Sequence, residues 1–129
     1  EIEMAFPDSK ITSSPLGSMV KNVRDWSRQG MTFHAILNKL HEQIDGTTAF
    51  IMVDDLNHLV KGGRLSNGSA LLGNLLSIKP ILRFFSEGKI VVSEKVRTEK
   101  FSISRFFLIL NDLISSCQYN VFIIHSKAQ

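Results

Sequence analysis

The 129-residue chain contains one cysteine, one tryptophan, one tyrosine and three prolines. A lone Cys117 cannot close an internal disulfide, and no Cys/His set with zinc-ligand spacing stands beside it. No apolar run approaches the roughly 20 residues that a membrane-spanning helix requires, which excludes stable insertion into a bilayer. Lys and Arg number 15 against 12 Asp and Glu, but they are scattered singly, without a five-residue basic cluster. Nucleic acid is therefore not an expected partner. No charged segment followed by an apolar one opens the chain, so the expected localisation is cytoplasmic. What the chain does carry is apolar side chains, at 43% of residues, with a net charge of only +3. That balance belongs to a folded chain rather than a disordered one, and the length suits one domain with a core of its own.

The pattern along the chain reads as mixed α/β. Ile2 to Phe6 reads as a strand, and Asp8 to Pro15 as a polar loop. Leu16, Met19, Val20, Val23 and Trp26 recur at helical spacing, and Gly30 is placed to stop that helix. Thr32 is placed to cap a second helix with the stripe Phe33, Ile36, Leu37, Leu40 and Ile44. The run Ala49 to Val53 is apolar on both faces and reads as a central, covered strand. A short helix from Leu56 to Val60 stops at Gly62-Gly63, and Asn67-Gly68 opens a leucine-rich helix. Pro80 starts an extended stretch through Phe85, and Ser86 to Lys89 turns it back into Ile90 to Val92. Ser102 or Ser104 caps a long helix with Ile103, Phe106, Phe107, Leu110, Leu113 and Ile114 in register. Leu108 and Ile109 lie off that stripe, so this helix is apolar around most of its circumference and calls for cover on two sides. Val121 to Ile124 reads as a last strand. The expected fold is a small mixed sheet with a β-hairpin and helices packed against it. The chain opens within one expected strand and stops shortly after another with no closing helix, which points to an excerpt of a longer protein.

Arg64 is the residue that spacing singles out. It follows two glycines and precedes Ser66, Asn67 and Ser69 at a helix start, where free backbone N–H groups and a guanidinium can meet an anion. The plainer reading is that the glycines stop a helix and Arg64 is a solvated charge, and spacing leaves both open. Leu71, Leu72, Leu75, Leu76 and Ile78 supply more apolar surface than a short surface helix needs. With Phe50, Met52, Ile81, Phe84 and the helix of Phe106 and Phe107, they are able to line an elongated cavity, or simply to fill a core.

The stretch Phe50-Ile51-Met52-Val53-Asp54-Asp55-Leu56, followed by Leu59-Val60-Lys61-Gly62-Gly63-Arg64-Leu65-Ser66, resembles the DegV family of fatty-acid-binding proteins. The likeness continues through Asn74-Leu75-Leu76-Ser77-Ile78-Lys79-Pro80-Ile81-Leu82, Glu87-Gly88-Lys89-Ile90 and Lys95-Val96-Arg97-Thr98. Asp8-Ser9-Lys10, Ser13 and Gly17 match the family's loop ahead of its linking helix. The resemblance implies two α/β domains enclosing one long-chain fatty acid, presented to a separate fatty acid kinase. On that comparison residues 1–46 are a linking loop and two helices, and 47–129 an incomplete C-terminal lipid-binding domain. It places Arg64, Gly63, Ser66 and Ser13 at the carboxylate or phosphate. It also places Phe50, Met52, Leu71, Leu72, Leu75, Leu76, Ile78, Ile81 and Phe107 along the acyl chain. No metal, cofactor or catalytic residue is expected. Pro15 and Leu16 depart from the family pattern beside Ser13.

Two other readings compete. Asp54, Asp55 and His58 have the spacing of an acid/base or metal group, but such spacing is common by chance. Cys117 lacks a sequence-local base and reads as a half-buried wall residue, and neither a nucleophile elbow nor a phosphate loop is present. The remaining alternative is a non-catalytic structural or protein-interaction domain with no bound lipid.

Overall fold

A computed structural model describes residues 2–53, 55–65, 78–85 and 87–126. The elements in chain order are α1 (Ser13–Arg28), α2 (Phe33–Asp45), β1 (Phe50–Met52), α3 (Asn57–Lys61), β2 (Ile81–Phe84), β3 (Ile90–Glu94) and α4 (Glu99–Ser116). They fall into two compact units, Glu1–Thr48 with Phe122–Gln129, and Ala49–Val121. The helix expected after Asn67 lies outside the described residues. Among those that are described, no helix is long and apolar enough to cross a membrane.

In the first unit α1 and α2 form a helical hairpin. Glycine and threonine act at the joint as their chemistry predicts. Gly30 takes φ +79°, the N–H of Met31 bonds the Trp26 carbonyl, and that of Gly30 bonds Ser27. This is a Schellman stop, which satisfies the last free carbonyls of α1. Thr32 then caps α2 by accepting from the Ala35 N–H at 3.3 Å. Met19 and Ile44 are buried, and Asn22 Nδ2 donates to Gln43 Oε1 between the helices. Helix α1 starts three residues earlier than its apolar stripe indicates, since Pro15 fits the first turn where no N–H is needed. Val20 is 64% exposed, so the stripe of α1 is narrower than its apolar residues imply.

Among the described residues the second unit holds a three-stranded sheet in the order β1-β2-β3, its ladders antiparallel, with a parallel bridge between Leu65 and Ile90 beside them. Thus β1 is an edge strand and β2 the central one, the reverse of what the continuous apolar run 49–53 implies. Two-sided apolarity does not decide position, because β2 is the strand whose Ile81 and Leu82 are wholly buried. Leu65, Leu82 and Ile90 form the core on one face, with Ile51, Val53, Phe84 and Val92 of the sheet and Leu56, Leu59 and Val60 around α3. Helix α3 ends as α1 does. Gly63 stands at φ +65°, the Arg64 N–H bonds the Leu59 carbonyl and the Gly63 N–H bonds Val60. Two expected strands are absent. Residues 2–6 and 121–124 are exposed coil, with Phe6 88% and Ile123 90% exposed. A strand exists only through its ladder, and among the described residues neither segment has a pairing partner.

Helix α4 lies against the other sheet face. Thr98, not Ser102 or Ser104, is its cap, accepting from the Phe101 N–H at 3.3 Å. Ser102 is instead wholly buried and donates its Oγ hydrogen to the Lys79 carbonyl at 2.7 Å. The Lys79 N–H in turn donates to the Val96 carbonyl at 2.6 Å. The less exposed residues of α4 are Ser102, Phe106, Ile109, Leu110 and Leu113, a helical stripe rotated from the expected one. Ile103, Phe107 and Ile114 are 43%, 66% and 50% exposed. The ladder between β2 and β3 slips between Ile81 and Leu82, so that Glu94 pairs with Ile81 and Val92 with Leu82. The extra residue turns Glu94 onto the same face as Ile81, where Arg105 of α4 binds both its oxygens at 2.7 and 2.8 Å.

Ser102→Ala leaves the Lys79 carbonyl without its buried donor, and a loss of about 1–3 kcal/mol in denaturant unfolding is expected; unchanged stability would show that the bond holds nothing. Gly63→Ala forces a side chain into the left-handed region and is expected to cost about 1–2 kcal/mol by the same measurement. Hydrogen bonding from Arg105, with its charge, holds the Glu94 carboxyl below the ordinary glutamate value of 4.5. Its folded value lies under its unfolded one, so its stabilisation is present above pH 4.5 and disappears as pH falls through the folded value. Stability measured against pH should therefore lose its Glu94 component below 4.5 in the unaltered chain and not in Arg105→Gln.

Candidate functional site

The Arg64 loop is built by α3. The Schellman stop fixes Gly63 in a conformation that side chains resist and delivers Arg64, exposed, directly after it. Gly62 has a different task. A Cβ there would come within 3.1 Å of the His58 carbonyl and 3.7 Å of the Arg64 guanidinium. The two glycines thus do stop a helix, as the plainer reading has it, and Gly62 avoids crowding the His58 carbonyl. Ser66 lies outside the described residues. Ser13 belongs to the other unit, where it opens α1 at φ 63° three residues after Lys10 at φ 53°. Two non-glycine residues in the left-handed region within four positions mark a strained loop. That loop is tied by the Lys10 N–H donating to Asp8 Oδ1 at 3.0 Å and by Ser9 Oγ donating to the Ile11 carbonyl at 3.1 Å.

The apolar candidates separate by face. The register pairs Phe50 with Arg83 and Met52 with Ile81, so Phe50, Met52, Ile81 and Arg83 share one side of the sheet. It is the side that carries α4: the Phe106 ring meets Phe50 edge to face at 6.2 Å, and the Arg83 guanidinium stands 5.5 Å from the Phe50 ring. Ile81 is wholly buried there, Phe50 half-buried, and Met52 37% exposed. Ile78 is half-buried just ahead of β2. Phe84 lies on the opposite face, against the Leu65–Leu82–Ile90 core, which α3 covers. Phe107 does not join Phe50. It lines an open apolar recess of about 560 Å³ on α4 together with Ser104, Leu108, Leu110, Asn111 and Ile114. Leu71, Leu72, Leu75 and Leu76 lie outside the described residues. The structure therefore assembles Phe50, Met52 and Ile81, while Arg64 follows a helix packed on the other face.

The acid/base candidates have structural roles. Asp55 Oδ1 accepts from the Asn57 N–H at 2.8 Å and from Asn57 Nδ2 at 2.7 Å, which starts α3. The backbone bond from Asn57 is the main reason that the Asp55 carboxyl lies below its ordinary range. His58 Nε2 is 3.9 Å from Asp55, and both are solvent-facing. Asp54 lies outside the described residues. Among the described residues no group of three or more His, Cys, Asp or Glu is placed to hold a metal. Cys117 is exposed at the end of α4 rather than half-buried, and His125 stands in coil rather than at a strand end. Sequence reasoning passed over Ser102 as a buried tie, Arg83 on the Phe50 face, and the Glu94–Arg105 pair. No local signal marks these, because each depends on a partner at least eleven residues away.

The family model described as the uncharacterised DegV family matches residues 1–129. A DegV domain-containing protein of Streptococcus pyogenes serotype M1 is 87% identical over the whole chain, which spans 46% of that relative. The chain thus covers about half the length of the curated relatives it matches. Among solved structures, a fatty acid binding DegV family protein of Streptococcus agalactiae matches with a TM-score of 0.85 at 58% identity, covering 88% of this chain and 40% of that one. DegV of Bacillus subtilis, a fatty acid binding protein, matches with a TM-score of 0.70 at 39% identity, over 84% and 39% of the two chains. By sequence along its whole length and by fold, the chain belongs to the DegV family.

Proposed function

We propose that the protein containing this chain binds one long-chain fatty acid through an apolar surface that includes Phe50, Met52 and Ile81. The observation that carries the reading is the common face of these three residues. It is a partly open face beside α4, apolar at these three positions and flanked by Arg83 and the Glu94–Arg105 pair, whereas the opposite face is closed as a core. The likeness to the fatty acid binding proteins of S. agalactiae and B. subtilis supports the ligand class. A sixteen-carbon tail offers roughly 10 kcal/mol of burial before ordering costs. One charge-assisted hydrogen bond adds about 1.5–3 kcal/mol. The tail therefore sets retention, and the polar contacts set orientation.

In this reading Arg64, Gly63, Ser66 and Ser13 hold the carboxylate or phosphate end. Support comes from the family resemblance and, for Arg64, from its exposed position after the helix stop at Gly63. The protein is a carrier, not an enzyme. It presents the carboxylate to a partner fatty acid kinase in the cytoplasm, as the family resemblance implies. Residues 1–46 link to a further domain, and 47–129 form part of the lipid-binding one.

Denaturing extraction of the purified full-length protein, followed by mass spectrometry, is expected to release about one long-chain fatty acid per chain; a lipid-free protein that also fails to take up added palmitic acid would refute the carrier reading. Arg64→Ala is expected to retain lipid but to lower acyl-phosphate formation by about tenfold or more, the size of one charged hydrogen bond. Loss of lipid with unimpaired phosphorylation of what remains would reverse that division of labour.

A further inference from the structure

On the sheet face that carries α4, one ring from the helix reaches Phe50. We propose that Phe106 is the residue that selects among acyl chains, by setting the clearance above Phe50 at one end of the surface it shares with Met52 and Ile81; this rests on the fatty-acid reading above. Three observations support it. Phe106 lies edge to face on Phe50 at 6.2 Å, so its ring occupies the space over the half-buried end of that surface. Phe50 has Arg83 at 5.5 Å on the same face, which leaves it little freedom to move aside. Phe106 also stands one helical turn after Ser102, whose buried bond to the Lys79 carbonyl pins α4 where β2 begins.

A ring held in this way is a rigid wall. A straight chain runs beside it, and a kinked or branched chain requires the volume that it fills. Close packing makes such a wall sensitive to single methylene changes. Phe101, in the first turn of the same helix, is 65% exposed and provides an internal control of equal chemistry.

The test uses full-length protein stripped of lipid and offered equimolar palmitic and oleic acid, with the bound ratio read by mass spectrometry. Phe106→Leu is expected to move the ratio toward oleic acid by at least about threefold, the order that one buried methylene provides, and Phe101→Leu to leave it unchanged. Phe106→Met, of about the leucine volume but unbranched and adaptable, serves if the leucine variant does not fold, and a shift in the same direction is expected. The proposal is overturned if the Phe106 variants bind both acids in the unaltered ratio, or if Phe101→Leu shifts it equally. An unaltered protein that takes up neither acid removes the carrier reading and the proposal together.

Discussion

The second unit depends on one buried hydrogen bond, from the Ser102 hydroxyl to the Lys79 carbonyl. Ser102 is fully buried, and Lys79 sits where the chain is about to become the central strand. The Lys79 N–H is taken by Val96, just after β3, and the next residue, Pro80, has no N–H to place. One residue thereby ties the entry of β2, the exit of β3 and the start of α4. The net energy of such a bond is small, but leaving either member buried without a partner is expensive, so the geometry is tightly held. Everything that α4 brings to the sheet is placed from this point, including the Phe106 ring on Phe50 and the clasp of Arg105 on Glu94.

The two sheet faces have diverged in use. One is a closed core of Leu65, Leu82 and Ile90 with α3 over it. The other is apolar but only partly covered, from wholly buried Ile81 to exposed Met52. A slipped residue in β3 maintains the difference. It swings Glu94 to the α4 side, where Arg105 neutralises it, and keeps a charge out of the Leu82 core. The same side carries the residues to which we assign the acyl chain.

The local features were readable from the residues themselves. Gly30 and Gly63 end helices because each supplies a positive φ at low steric cost, and Thr32 caps because its hydroxyl reaches the third N–H of the helix. The turn at Glu87 and Gly88 and the return strand after it followed from the same kind of chemistry. The order of strands was not readable, since the apolar run 49–53 and the stretch 81–84 are equally credible as a sheet centre until a third strand chooses its neighbour. In the candidate site the types of residue were legible, namely an arginine after paired glycines and a supply of leucine and phenylalanine. Their grouping was not, since the sheet register puts Phe50, Met52 and Ile81 together and sends Phe84 to the other side.

A high share of apolar residues at low net charge determined by itself that the chain folds, and a single cysteine that it closes no internal disulfide. The ordered likeness through Lys61-Gly62-Gly63-Arg64 and Lys79-Pro80 determined its family. Tertiary structure alone decided which side of α4 faces the sheet. The helix is apolar nearly all round, so periodicity could not choose between Phe106 and Phe107. The buried hydroxyl of Ser102 chose, because a polar group removed from water must sit opposite its acceptor, and the helix turns with it.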